Sequence, residues 1–280
     1  MTAPGRDRAA RVPVSGLAAA LRHDHAVATA GLVVVIAFAW LYLLFGAGID
    51  MDVMDMGGGG RMIMATEWTP AYAALLFVMW AVMMAAMMLP GAAPAILLVD
   101  RIGRQRAAAG AALNPALFAL GYLAVWTAFS LAATALQWGL DRRGLLSPEM
   151  AAASRGFAGA VLVAAGLYQW TPMKQACLVR CRSPLDFLLR HWHEGPAGLF
   201  ATGLRHGVSC LGCCWLLMAL LFIGGLMNVL WIAGLALLVL LEKTLPWGGR
   251  MSRWVGAALI AWGAAVLWSQ IGSYPASSSG

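Results

Sequence analysis

The stretch that decides the fold is residues 206–243, HGVSCLGCCWLLMALLFIGGLMNVLWIAGLALLVLLEK. From Gly207 to Leu241 it contains no acidic residue, lysine or arginine. A membrane-spanning helix needs only about 20 apolar residues, so this run is too long for one simple span. Gly224, Gly225 and Asn228 are turn-forming residues in its middle. The stretch therefore predicts two antiparallel transmembrane helices.

The rest of the chain is also strongly hydrophobic. Hydrophobic residues make up 61% of the sequence, charged residues 11%, and the mean hydropathy is +0.77, values typical of a membrane protein. We predict an all-α polytopic membrane helical bundle of about seven transmembrane helices. Their expected bounds are 27–47, 70–98, 115–138, 156–176, 207–224, 226–242 and 254–271. Pro90, Gly91 and Pro94 predict a kink or break within the second helix.

The distribution of basic residues predicts the orientation. With the N-terminus inside, the inner segments hold fifteen of the 19 lysines and arginines, as the positive-inside rule requires. The net charge of +7 then reflects topology, and no nucleic-acid partner is expected. The first hydrophobic run exceeds a signal-peptide core of about 7–15 residues, so we interpret it as an uncleaved helix. A bacterial inner (plasma) membrane is the simplest location.

This interpretation divides the chain into three parts. Residues 1–26 form a basic cytoplasmic tail, 27–271 a single transmembrane domain, and 272–280 a disordered tail. The domain includes an outer loop, 49–69, which is rich in Met and Asp, and an inner loop, 177–206. His191, His193 and Glu194 lie in that inner loop and are interpreted as a polar patch at the membrane surface.

All five cysteines lie in two clusters. Cys177 and Cys181 are one helical turn apart, and a second set has the helical spacing i, i+4, i+7 and i+8. Its members are His206, Cys210, Cys213 and Cys214. The predicted topology places both clusters at the cytoplasmic ends of consecutive helices, with the second set in the first two turns of its helix. Thiols stay reduced in the cytoplasm, which favours a metal or redox role over structural disulfides.

Methionine supplies a second group of soft ligands. Met79, Met83, Met84, Met87 and Met88 follow helical spacing in the second predicted helix, and five more methionines lie in the outer loop beside Asp50, Asp52 and Asp55. Thioethers and thiolates bind Cu(I), whereas thioethers have little affinity for hard divalent ions. Both residue types also fill apolar cores, so packing alone is the alternative explanation of these patterns.

Several segments resemble the DUF2182 family of predicted metal-binding integral membrane proteins. They are WAVMMAAMMLP (80–90), YQWTPMKQACLVRCRSP (168–184), GLRHGVSCLGCCWLLMALLFIGGLMN (203–228) and LEKTLP (241–246), and the resemblance covers roughly residues 65–270. It implies a multi-helix inner-membrane protein with a metal site. The positions that match the family's motifs are Met83, Met84, Met87, Met88, Cys177, Cys181, His206, Cys210, Cys213 and Cys214.

These observations favour a soft-metal membrane protein that transports or delivers Cu(I), with Zn(II) as the second metal. The expected partners are the lipid bilayer, the metal ion, and a membrane or metal-delivery protein. The chain contains neither GxxxxGK[ST] nor DKTGT, so ATP-driven transport is not expected. No catalytic residues are predicted, because hydrolytic arrangements are absent from the sequence. Two alternatives stay open: a membrane thiol-disulfide oxidoreductase that uses Cys210 and Cys213, and a structural or assembly subunit.

Overall fold

The fold is a bundle of helices with one small hairpin. The computed structural model describes residues 14–45, 53–55, 61–63, 68–105, 113–147, 150–193 and 195–271. The helices are α1 (Val14–Leu44), α2 (Pro70–Gln105), α3 (Asn114–Asp141), α4 (Arg155–Tyr168), α5 (Pro172–Arg182), α6 (Pro184–His191), α7 (Pro196–Ala219), α8 (Leu221–Gly224), α9 (Val229–Thr244) and α10 (Gly248–Ile271). The strands β1 (Val53–Asp55) and β2 (Arg61–Ile63) pair antiparallel, with Met54 opposite Met62.

Five helical segments are long and apolar enough to cross a membrane, by length and composition. They are Ala26–Leu44, Pro70–Gln105, Asn114–Asp141, Pro196–Gly224 and Gly248–Gln270. The expected count of seven is not confirmed. With a rise of 1.5 Å per residue, α4 (14 residues) and α9 (16 residues) reach only about 21 and 24 Å, less than a bilayer core of about 30 Å.

Helix bounds differ from the predicted ones where local sequence signals compete with hydrophobicity. The predicted span 156–176 is divided at Thr171, whose hydroxyl accepts a hydrogen bond from the Lys174 amide (3.3 Å), with Pro172 at the first position of α5. Of the kink or break predicted in the second span, a break is excluded, because α2 continues as one helix through Pro90 and Pro94. The structure places α6 and the first turns of α7 where the inner loop was expected.

Three sequence predictions lie wholly or partly outside the described residues. These are the basic tail before residue 14, the disordered tail 272–280 and most of the outer loop 49–69. In that loop the structure describes the backbone of the hairpin together with Trp68 and Thr69. The helix that follows the basic tail begins at Val14, earlier than the predicted residue 27, although its candidate span begins at Ala26.

Glycines allow α4 and α10 to pack in close contact. A Cβ atom at Gly166 would lie 2.7 Å from the carbonyl oxygen of Gly256, and one at Gly256 would lie 2.9 Å from that of Gly166. Gly159 and Gly263 repeat the arrangement two turns away, at 3.1 and 2.9 Å. Small residues at such crossings let backbones approach closely, which is how membrane helices gain packing contacts.

Close packing at glycines also joins α3 to α7, the helix that carries three cysteines. A Cβ at Gly203 would lie 2.1 Å from the carbonyl oxygen of Phe118, and one at Gly121 would lie 2.1 Å from that of Phe200. At the other end of α3, the Asp141 carboxylate accepts a hydrogen bond from the Trp68 indole (2.6 Å), just before α2 begins. Helices α2 and α3 are therefore antiparallel neighbours, and α7 lies against α3.

Candidate metal centre

The second cysteine cluster lies in the middle of a helix. Helix α7 begins at Pro196, so Cys210 lies about 21 Å along it, and the prediction that these cysteines occupy the first two turns is wrong. Residues 196–205, which were expected to belong to the inner loop, form the first turns of this helix. The oxidoreductase hypothesis consequently loses one argument, because a helix N-terminus lowers a thiol pKa only within about one turn.

The two cysteine clusters meet where α5 packs against α7. The Cys181 sulfur interacts with the sulfurs of Cys210 and Cys213. These interactions, and to a lesser extent burial, raise the pKa of the Cys181 thiol well above its usual value. Cys177 is half-buried, and burial raises its thiol pKa as well. A Cβ atom at Gly212 would lie 2.7 Å from the Cys177 sulfur, so glycine is needed there for the helices to approach. All five cysteines are free thiols.

One methionine of α2 reaches the thiols. The sulfur of Met88 lies 3.9 Å from the Cys214 sulfur, within the span that one metal ion bridges with metal–sulfur bonds of about 2.3 Å. Met83, Met84 and Met87 are fully buried in the same core, as are Met79 and Met218. Met173, which shares helical spacing with Cys177 and Cys181, is 55% exposed and does not join the cluster.

Lys243 and Tyr122, the second of which the sequence did not indicate, complete the cluster around Cys210. The ammonium group of Lys243 donates a hydrogen bond to the Cys210 sulfur (3.0 Å) and lies 3.8 Å from the Met88 sulfur. The Tyr122 hydroxyl lies 3.0 Å from the same Cys210 sulfur and donates to the Met88 carbonyl (3.1 Å). Lys243 is only 5% exposed although it lies near the end of α9. Its buried ammonium therefore faces sulfur atoms instead of solvent.

Glu242 has a different partner from Lys243, its neighbour in the sequence. Its carboxylate forms a buried ion pair with Lys174 (2.8 Å) and accepts a hydrogen bond from the Gln169 amide (3.3 Å). The Ser252 hydroxyl donates to the other end of the Gln169 amide (3.0 Å). Glu242 therefore pairs with a lysine of α5 and not with Lys243 beside it in the sequence. This network connects α4, α5, α9 and α10 directly beside the thiols.

His206 is buried between aromatic rings. It is 2% exposed, and its ring lies 5.1 to 5.8 Å, between centroids, from the rings of Phe187, Phe118 and Tyr122. Its Nδ1 atom is buried and has no hydrogen-bond partner among the residues that the structure describes. A buried nitrogen in that state has lost hydration without compensation, and it retains its capacity to bind a cation. Its role as a ligand stays a prediction.

The donor chemistry suits a soft monovalent ion. Thiols, one thioether and an imidazole are the ligands that Cu(I) prefers. The thiols of Cys213 and Cys214 each donate to the Cys210 carbonyl at 3.0 Å, so both point at their own helix. Within the described ranges, no three or more His, Cys, Asp or Glu side chains are arranged to hold a metal.

These features define the class: a helical membrane protein with a buried cluster of thiols and a thioether. Residues 77–266 match the PpoB2 family, which is described as copper chaperone, and because this covers most of the chain, the protein belongs to that family. The match spans nearly the same region as the resemblance to DUF2182. Comparison with curated proteins and with solved structures gave no match. The family assignment therefore indicates a copper-related function.

Proposed function

We propose that the protein is a Cu(I) chaperone of a bacterial inner membrane that holds the ion in the buried cluster and delivers it to a partner protein. The convergence of Cys181, Cys210, Cys213 and Cys214 beside Met88 is the observation that carries this proposal. Cys177 and His206 flank the cluster and are the additional candidate ligands.

The presence of a thioether donor supports Cu(I) over Zn(II). Zinc prefers four tetrahedral ligands from cysteine, histidine or carboxylate, and a thioether is not a normal member of that set. Met88 contacts both Cys214 and Lys243, so the thioether lies within the cluster. The buried carboxylate of Glu242, whose sequence neighbour Lys243 contacts the cluster, is already paired with Lys174.

The buried methionines of α2 provide a path toward the cluster. Met79, Met83 and Met87 repeat at one-turn intervals, and Met84 and Met88 form the adjacent row. An ion collected by thioethers and carboxylates in the outer loop would pass along this face to thiolates, which bind Cu(I) more tightly. The gradient in ligand softness supplies a direction without ATP.

Copper content of the purified protein tests the proposal. We expect Cys213→Ser together with Cys214→Ser to abolish bound copper, because the hydroxyl replacements remove two of the four thiols that converge beside Met88. The measurement is elemental analysis after loading with Cu(I) and removal of excess ion. A double Cys177→Ser, Cys181→Ser variant measures the contribution of the α5 cluster.

Unchanged copper in a folded Cys213/Cys214 double variant would falsify the proposal. Thermal unfolding of each variant in detergent serves as the folding control. Thiol trapping in defined redox buffers addresses the oxidoreductase alternative, which requires a stable Cys210–Cys213 disulfide. The structural-subunit alternative requires that serine at all five cysteines leaves copper delivery unchanged.

A further inference from the structure

A cationic cavity lies on the α5–α6–α7 side of the thiol cluster. It measures about 570 Å³ and is lined by Arg180, Phe187, His191, Leu204, Arg205, Val208 and Ser209. Both arginine side chains are exposed, and within the described ranges neither forms an ion pair. Their guanidinium groups leave two positive charges facing an open concave surface.

Three residues that line the cavity are sequence neighbours of candidate ligands. Arg180 directly precedes Cys181, Arg205 directly precedes His206, and the lining residue Ser209 directly precedes Cys210. The ring of Phe187 lies 4.8 Å from that of His191 on one side and 5.1 Å from that of His206 on the other, between centroids. One aromatic ring therefore separates the cavity from the buried imidazole beside the thiols.

The charge of this cavity is wrong for a bare metal cation. Two guanidinium groups repel Cu⁺, and a low-dielectric wall strengthens that repulsion. Copper held by two thiolates has the opposite sign, because one positive ion and two negative sulfurs leave a net charge of −1. Such a complex also presents apolar methylene groups, which match Phe187, Leu204 and Val208.

We infer that this cavity receives or releases copper as an anionic Cu(I)–thiolate complex of a carrier, and this inference rests on the proposed function. In the exchange, each Cu–S bond to the carrier breaks as a Cu–S bond to a protein thiol forms. The proton of the protein thiol passes to the released carrier thiolate. Copper stays Cu(I), so no oxidant or reductant takes part.

Transfer kinetics from two donors of opposite charge test the inference. The full chain, in nanodiscs of zwitterionic phospholipid, is mixed with the anionic bis-glutathione complex of Cu(I) or with cationic tetrakis(acetonitrile)copper(I). Copper retained by the protein is measured against time. We expect Arg180→Gln with Arg205→Gln to slow transfer from the anionic donor at low salt by about tenfold or more and to leave the cationic donor equally fast or faster. Added salt should reduce the difference.

The matched control is Arg190→Gln with Arg253→Gln, which removes two exposed positive charges outside the cavity. Equal slowing with both donors, or an equal effect of the control pair, would overturn the inference. So would an effect that appears only in anionic lipid, because the arginines would then bind phospholipid headgroups. Failure of the unmodified protein to load from either donor would instead overturn the proposed function.

Discussion

At the scale of single residues, Lys243 is the buried cation of the site. A buried ammonium needs an anionic or strongly accepting partner, and the contacts of this one are the sulfurs of Cys210 and Met88. Gly91 makes room for it, since a Cβ there would lie 3.0 Å from the Lys243 Cδ atom. In the proposed complex, its positive charge would balance the net negative charge of two thiolates and one Cu⁺.

We therefore expect Lys243→Gln to weaken Cu(I) binding by about tenfold to a hundredfold, the range for losing a hydrogen bond to a charged group. Competition with a chromophoric Cu(I) chelator measures the affinity. Arg253→Gln is the control, because it also removes one positive charge but from an exposed position. An affinity that rises in the Lys243 variant would show that the ammonium competes with copper instead of balancing its complex.

At the scale of elements, glycine contacts set how closely the helices pack. Gly166→Ala would place a methyl group 2.6 Å from Ile260 Cγ1 and 2.7 Å from the Gly256 carbonyl oxygen, so α4 and α10 must separate. We expect it to destabilise the protein by about 1–3 kcal/mol, as overpacking does, and to lower the thermal midpoint by several degrees. The measurement is thermal unfolding of the purified protein in detergent.

Gly139→Ala is the matched control for this change. It is the same substitution within α3, and a Cβ atom there has no neighbour within 4 Å. Alanine is the better helix former, so this variant should unfold at the same temperature or slightly higher. Equal destabilisation by the two substitutions would show that close packing of α4 on α10 does not contribute to stability.

At the scale of the whole molecule, the distribution of basic residues predicts how the chain is arranged across the membrane. Arg143 follows α3 and lies in a predicted outer segment, whereas Arg190 lies in α6 on the predicted inner side. In a chain without its natural cysteines, a cysteine at 143 should react with a membrane-impermeant maleimide on intact cells. One at 190 should react only after permeabilisation. The reverse pattern would invert the predicted topology.

Much of the fold and of the site could be predicted locally. Hydrophobic runs located the long helices, and the i, i+4 spacings identified Cys177, Cys181 and the cluster from His206 to Cys214. The number of spans could not be predicted in this way, because hydrophobicity does not register a cap such as Thr171, where α4 and α5 separate. Tyr122 carried no signal at all, since its helix is apolar on every face and its partner lies 88 residues away.

The sequence by itself determined that this is a helical membrane protein with soft ligands in two clusters, because these properties depend on composition and on spacing within one helix. Only the tertiary structure decided that the clusters meet, that the Met88 sulfur lies beside a thiol, and that Lys243 and Glu242 take different partners. Those contacts join residues far apart in the chain. Their formation depends on how closely the helices pack, which glycines such as Gly212 and Gly91 permit at the site.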